Sequence, residues 1–219
     1  MPRLLALLLA SACPAAAHDV ITTKITWTRE ISRIFAKRCI GCHQQGGAAP
    51  MALETYEAVR PWAVAIKEEV LERRMPPWGA VKGFGDFKND HGLTQEEISR
   101  IADWVEGGAP DGDAVYLPGN LRQAESDAKP AKARPVTITA GAVLKKPVSL
   151  QAIQPRQLRE GASPKVYAEL PDGSVEPLLW MLPYRPKYRR VYQFADRIQL
   201  PAGTKIVVTQ PGAVFDLLR

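Results

Sequence analysis

Residues 39–43 read Cys-Ile-Gly-Cys-His. Two thiols three positions apart, with an imidazole next in line, lie on one face where the chain makes a helical turn. In the pattern C-x-x-C-H the thiols add to the two vinyl groups on one edge of a porphyrin and the imidazole sits beneath the iron. A zinc site would need two more ligands, and after His43 the chain has no cysteine and only one histidine, His91. A thioredoxin-like redox pair would need a strand before the motif, whereas the residues before Cys39 have helical periodicity. The stretch therefore predicts one covalently attached haem c, held by Cys39 and Cys42, with His43 as an axial iron ligand.

The N-terminus suits a haem attached outside the cytoplasm. Arg3, the apolar run Leu4 to Ala10 and the small residues Ala15-Ala16-Ala17 read as a secretory signal peptide, too short to span a bilayer. Residues 1–17 are expected to be removed and the mature chain to begin at His18, in the periplasm or secreted. Cys13 then leaves with the signal, which excludes a disulfide framework. Leu9-Ala10-Ser11-Ala12-Cys13 also resembles a lipobox loosely, with Ala10 where leucine is usual, so a lipid anchor on Cys13 competes with cleavage after Ala17. A copper site at an N-terminal His18 is the weaker idea, since only His43 and His91 could join it.

Charge divides the remainder. Residues 18–115 carry a net −3 and residues 116–219 a net +8. Between Pro118 and Pro135 lie Gly119, Asn120, Ser126, Pro130 and alternating charges, which read as a linker over 116–135 between an acidic domain (18–115) and a basic one (136–219).

The first domain reads as helical. Thr28 can cap a helix with the stripe Ile31, Ile34 and Phe35, leading into Cys39. A second helix follows Thr55, with Val59, Trp62, Ile66 and Val70 at helical spacing and Pro61 in its first turn or bending it. A third starts at Thr94, in a capping box with Glu97, and ends at Gly107-Gly108-Ala109-Pro110. A helix before the haem motif and a last helix packed back across it is the arrangement of a small cytochrome c domain.

The iron needs a second axial ligand or an open position, and Met75, Met51 and His91 are the candidates. Met75 lies in Arg74-Met75-Pro76-Pro77-Trp78, where two prolines stop the second helix and stiffen the loop. Met51 is expected to pack on the proximal side, with the Pro50 carbonyl accepting the His43 Nδ1–H bond that fixes the ring. His91, between Asn89-Asp90 and Gly92, reads as a surface histidine in a loop. Trp62, Trp78 and Trp104 read as haem-pocket walls rather than electron relays, and a dry pocket with a Met/His pair raises the reduction potential.

At these motifs residues 25–113 resemble the mono-haem cytochrome c domains of secreted bacterial proteins that carry a Met-Pro-Pro-Trp motif, often beside copper type II monooxygenase-like domains. The matching pieces are Arg38 to His43, Ala49 to Leu53, Tyr56 to Trp62, Met75 to Trp78, and Trp104 to Pro110. The resemblance implies a class I–like cytochrome c fold with His43 and Met75 as axial ligands.

After residue 135, Val136–Thr139, Val148–Ile153, Val166–Leu170, Leu178–Leu182, Val191–Phe194, Ile198–Leu200, Lys205–Thr209 and Val214–Leu218 read as strands, with turns at Pro171-Asp172-Gly173-Ser174 and Pro201-Ala202-Gly203. This predicts an α + β two-domain chain whose second part is a small antiparallel β-sandwich. Residues 171–179, 188–194 and 200–204 resemble the C-terminal lobe of the monooxygenase-like proteins. That lobe needs histidine ligands for copper. No histidine follows His91, and Met181 alone cannot hold copper. Arg185, Lys187, Arg189 and Arg190, interleaved with Tyr184, Tyr188 and Tyr192, could bind nucleic acid, which a secreted protein rarely meets. The cluster reads as a solvated face, or as a dock for an acidic redox partner, a membrane surface or the acidic haem domain.

The expected function is a periplasmic mono-haem one-electron carrier exchanging electrons with redox donor and acceptor proteins, not an enzyme. The alternatives are an accessory subunit that docks to an oxidoreductase through the β-domain, and an open-site haem enzyme or gas or redox sensor.

Overall fold

The computed structural model describes residues 24–88, 90–119 and 135–219. The expected signal peptide, Cys13, His18 and most of the expected linker lie outside them.

Thr26, not Thr28, opens the first helical stretch. Its Oγ1 accepts from the Arg29 N–H at 3.3 Å, and a π-helical turn over Trp27–Ile31 runs directly into α1 (Ser32–Arg38). Thr28 is buried, and its N–H donates to Asp111 O at 2.9 Å while that of Trp27 donates to Pro110 O at 3.0 Å. A residue tied down in this way cannot turn its hydroxyl to the helix end. The chain from Tyr56 to Leu71 is continuously helical, as α2 (Tyr56–Val59), a 3₁₀ turn at Arg60–Trp62 and α3 (Ala63–Leu71). Pro61 lacks the N–H for an ordinary helical bond, which accounts for the tighter middle turn. α4 (Gln95–Glu106) starts in the predicted capping box: Thr94 Oγ1 accepts from Glu97 N–H at 3.0 Å, and Glu97 Oε2 accepts from Thr94 N–H at 2.8 Å.

These helices enclose one apolar cluster built on Trp27, Ile31, Phe35, Val59, Ile101 and Trp104. The Trp104 indole Nε1–H donates to Pro110 O at 2.9 Å, so this fully buried side chain leaves no donor unpaired. Arg38 at the end of α1 pairs with Glu97 at the start of α4, locking the first helix onto the last beside the cysteine motif.

The C-terminal part comprises β1 (Pro135–Ile138), β2 (Ala142–Val143), β3 (Val148–Gln157), β4 (Lys165–Glu169), β5 (Val175–Trp180), β6 (Tyr192–Leu200), β7 (Lys205–Val208) and β8 (Val214–Leu218). They form two antiparallel four-stranded sheets, ordered β1-β8-β3-β6 and β2-β7-β4-β5, which share one apolar cluster. The whole is an α + β chain. Two of the expected strands, 191–194 and 198–200, are one strand, β6. Consecutive exposed residues Asp196 and Arg197 interrupt its inward–outward alternation, and its register with β3 shifts at Leu150/Ala152, as a bulge requires. The two-residue β2 carried no readable pattern.

The segment Gly79–Lys88 departs from the expected division of the chain. It lies between α3 and α4 in sequence but pairs with the sheets. Ala80 bridges Met181 at the end of β5, and Phe87 bridges Phe194 on β6. β5 and β6 are edge strands of the two sheets, so a piece of the first part closes both edges on that side. Trp78, Ala80 and Phe87 accordingly belong to the apolar cluster of the sheets.

Candidate haem site

The cysteine motif forms at the end of α1. Cys39 N–H donates to Phe35 O at 2.8 Å, and the N–H groups of Cys42 and His43 both turn back to Cys39 O, at 3.1 and 2.9 Å. One helical turn thus carries both thiols and the imidazole. Cys39 is half-buried against the helical cluster and Cys42 is exposed. Burial, reinforced by Glu97 and opposed by Arg38, pushes the Cys39 thiol up to about 12. It is therefore a thiol, not a thiolate, until a thioether replaces its S–H bond.

The loop after the motif folds back on it. Ala49 N–H donates to Cys42 O at 3.1 Å and Leu53 N–H to His43 O at 2.8 Å. Gly47 passes so close that a Cβ there would lie 2.4 Å from Cys42 O. Midway between the two bonded positions, the Met51 carbonyl lies 3.1 Å from His43 Nδ1. This corrects the assignment of that role to Pro50, which is exposed: the register of the folded-back loop aims the next carbonyl at the ring. A proton on Nδ1 leaves the Nε2 lone pair free to bind a metal. The Met51 side chain packs against the helical cluster, as a packing residue should.

Met75 follows α3 in a tight reversal. The N–H groups of Arg74 and Met75 both donate to Glu69 O, at 2.8 and 3.2 Å. The Arg74 guanidinium meets the Glu69 carboxylate through two nitrogens, at 3.0 and 2.9 Å, and this bond holds the carboxyl below its usual range. Met75 is half-buried, and the Met75–Pro76 peptide is cis.

The tryptophans separate. Trp104 lies in the centre of the helical cluster and Trp62 is 46% exposed. Trp78 sits in the sheet cluster, edge-on to Tyr192 at 5.3 Å, Phe87 at 6.2 Å and His91 at 5.7 Å. His91 is half-buried against Trp78 rather than a free surface residue. The basic cluster divides too. Arg185, Lys187 and Arg189 are exposed around the 3₁₀ turn Pro186–Tyr188, whereas Arg190 turns inward over the Trp78 ring at 5.2 Å, and Tyr184 and Tyr192 are core residues. Sequence reasoning missed Tyr192 as a neighbour of the Met-Pro-Pro-Trp loop, because nothing local links residues so far apart.

The donor set suits a covalently held haem. Two thiols and an oriented imidazole share one turn, and among the described residues no group of three or more His, Cys, Asp or Glu side chains could hold a metal ion instead. The Trp78 Nε1–H is buried without a protein acceptor, a donor of the kind a haem propionate can satisfy. Residues 28–105 match the family model for cytochrome C oxidase, cbb3-type, subunit III. No curated protein and no solved structure matches the chain.

Residues 28–105 are thus a mono-haem cytochrome c domain, its cofactor is covalently bound haem c with iron, and such a domain is an electron-transfer module that works with redox partner proteins.

Proposed function

We propose that this protein is a periplasmic one-electron carrier with a class I–like haem domain, axial ligands His43 and Met75, and an appended β-sandwich. The haem supplies a one-electron Fe(II)/Fe(III) couple. The chain anchors it through Cys39 and Cys42, orients the His43 ring through Met51 O, and presents a Met75 thioether from a short, stiff loop. With His43 and Met75 both holding the iron, no substrate would need to reach the metal, and the role would be electron transfer rather than catalysis. The N-terminal 17 residues act as the export signal, and export precedes haem attachment. The paired sheets hold no imidazole, since no histidine follows His91, so they serve to position and dock the haem domain against a redox partner.

The observation that carries this reading is the single turn holding Cys39, Cys42 and His43 with the ring oriented by Met51 O. Acid–organic extraction tests the attachment. Thioether-linked haem stays with the denatured polypeptide, and complete passage into the organic phase refutes it. Retention should fall in Cys42→Ala, which leaves at most one thioether.

A further inference from the structure

We propose that Tyr192, a residue of the β-domain, is a positioning residue for the Met75 iron ligand; this rests on the assignment of Met75 as that ligand. Only Pro76 and Pro77 separate Met75 from Trp78, and a ring fixes φ at each of them. Displacement of Trp78 is therefore passed to Met75 with little loss. Upstream, Met75 is tied to Glu69 O at the end of α3. Downstream, the chain is tied to the sheets. Tyr192 is 1% exposed, its hydroxyl donates to Trp78 O at 2.8 Å, and its ring meets the indole edge-on at 5.3 Å. Gly79 comes so near the same hydroxyl that a Cβ would lie 2.8 Å from it, at a φ of +76° that disfavours any side chain. Leu182 N–H donates to Gly79 O at 2.9 Å and Val81 N–H to Trp180 O at 2.8 Å, which fixes the next residues to the end of β5.

Tyr192 is itself immobile. It opens β6, opposite Ile153 of β3, inside a four-stranded sheet. The Met75 loop is thus held at one end by the haem domain and at the other by the sheets, and the Tyr192 hydroxyl bonds the sheet-side end of the loop at Trp78 O. A thioether bond to iron is weak enough that a small change in its tether shifts the balance between bound and dissociated Met75.

The test uses the full-length haem-loaded protein and reads the ferric thioether–iron absorption band, the reduction potential and the rate at which carbon monoxide binds the ferrous form. Tyr192→Phe keeps the ring and removes the hydroxyl. It should raise the Met75-dissociated fraction roughly five- to tenfold, the scale set by one net hydrogen bond, with a weaker band, a lower potential and faster carbon monoxide binding. Gly79→Ala drives a methyl group against the same hydroxyl and should act in the same direction, which keeps the idea testable if Tyr192→Phe does not fold. Phe215→Leu, a fully buried change on β8, is the control for general loosening of the sheets and should leave all three readouts unchanged. An unchanged band in Tyr192→Phe and Gly79→Ala overturns the proposal, as does an equal response in Phe215→Leu. Met75→Ala separates the two claims: it must abolish the band if Met75 is the ligand at all, and a surviving band removes that assignment itself.

Discussion

Phe87 and Phe194 stack at 5.5 Å with 22° between their ring planes, one from the loop between α3 and α4, the other from the edge strand β6. Main-chain bonds flank the pair, from Lys88 N–H to Gln193 O at 2.8 Å and from Ala195 N–H to Asp86 O at 2.9 Å. The contact joins two regions whose sequences suggest separate domains, and it gives the β-domain a direct hold on the cytochrome.

A chain ending at Val115 should therefore be much less stable than the parent. It would expose Trp78 and Phe87, which are 3% and 7% exposed in the whole protein. Aromatic residues bury about 150–250 Å² each, so at about 25 cal/mol per Å² the burial of the two is worth about 7.5–12.5 kcal/mol as an upper figure. Thermal unfolding of the full-length protein should show one transition, and that of the fragment a midpoint lower by more than about 10 °C. Equal midpoints would show that the helical region is independent of the sheets.

The ion pair of Arg38 and Glu97 offers a sharper point test. The two side chains are 6% and 16% exposed, with Nε–Oε1 and Nε–Oε2 distances of 3.1 Å, and Arg38 Nη1 also donates to Asp90 O at 2.6 Å. Removing one partner strands a buried charge, which costs about 3–5 kcal/mol. Glu97→Gln and Arg38→Ala should each lower the unfolding free energy obtained by denaturant titration by that amount. A loss below about 1 kcal/mol in both would place the pair with ordinary surface ion pairs.

Local chemistry made part of this fold legible. The five residues Cys39–His43 specify a cofactor by themselves, and the Thr94/Glu97 box is a contiguous code for a helix start. The apolar stripe of α1 and most strands followed from periodicity. What stayed hidden is long-range. The segment Gly79–Lys88 has three glycines in ten residues, Gly79, Gly83 and Gly85, that break any period, and its structure comes from pairing at the edges of β5 and β6. The register of the loop after His43, which decides between the carbonyls of Pro50 and Met51, depends on bonds from Ala49 and Leu53 that leave no trace in the sequence. Likewise Arg190 belongs to a basic run, yet the path of the chain into β6 turns it onto Trp78.

Alkaline pH should weaken the hold of Tyr192. Burial raises the pKa of its hydroxyl well above the ordinary tyrosine value of 10.0, with Arg190 pulling the other way and Tyr184 adding to the rise. The folded protein then keeps a proton that the unfolded chain releases. Stability from this group is complete below pH 10 and is lost as pH rises beyond it, by at most about 1.4 kcal/mol per pH unit. The difference in unfolding free energy between the parent and Tyr192→Phe should be constant from pH 7 to 9 and should shrink from pH 10 to 11. A difference that stays constant or widens across that range contradicts the buried, donating hydroxyl.

The three exposed residues of the basic cluster should govern encounter with an acidic redox partner. Arg185, Lys187 and Arg189 face solvent, while Arg190 is committed to Trp78. Replacing the three exposed residues by glutamine should slow electron transfer to an acidic partner several-fold at low salt, with little change in the haem spectrum or potential. The parent rate should fall with added salt, because exposed charges are screened over about 10 Å at 0.1 M, and the triple variant should be less sensitive. Arg190→Gln is the contrasting change. It alters the environment of Trp78 and hence the Met75 loop, so it should shift the potential more than the salt dependence. Stopped-flow mixing across a salt series checks both. If the triple variant matches the parent in rate and in salt slope, the partner approaches by another face, and the β-domain acts through the loop it holds rather than through its surface charge.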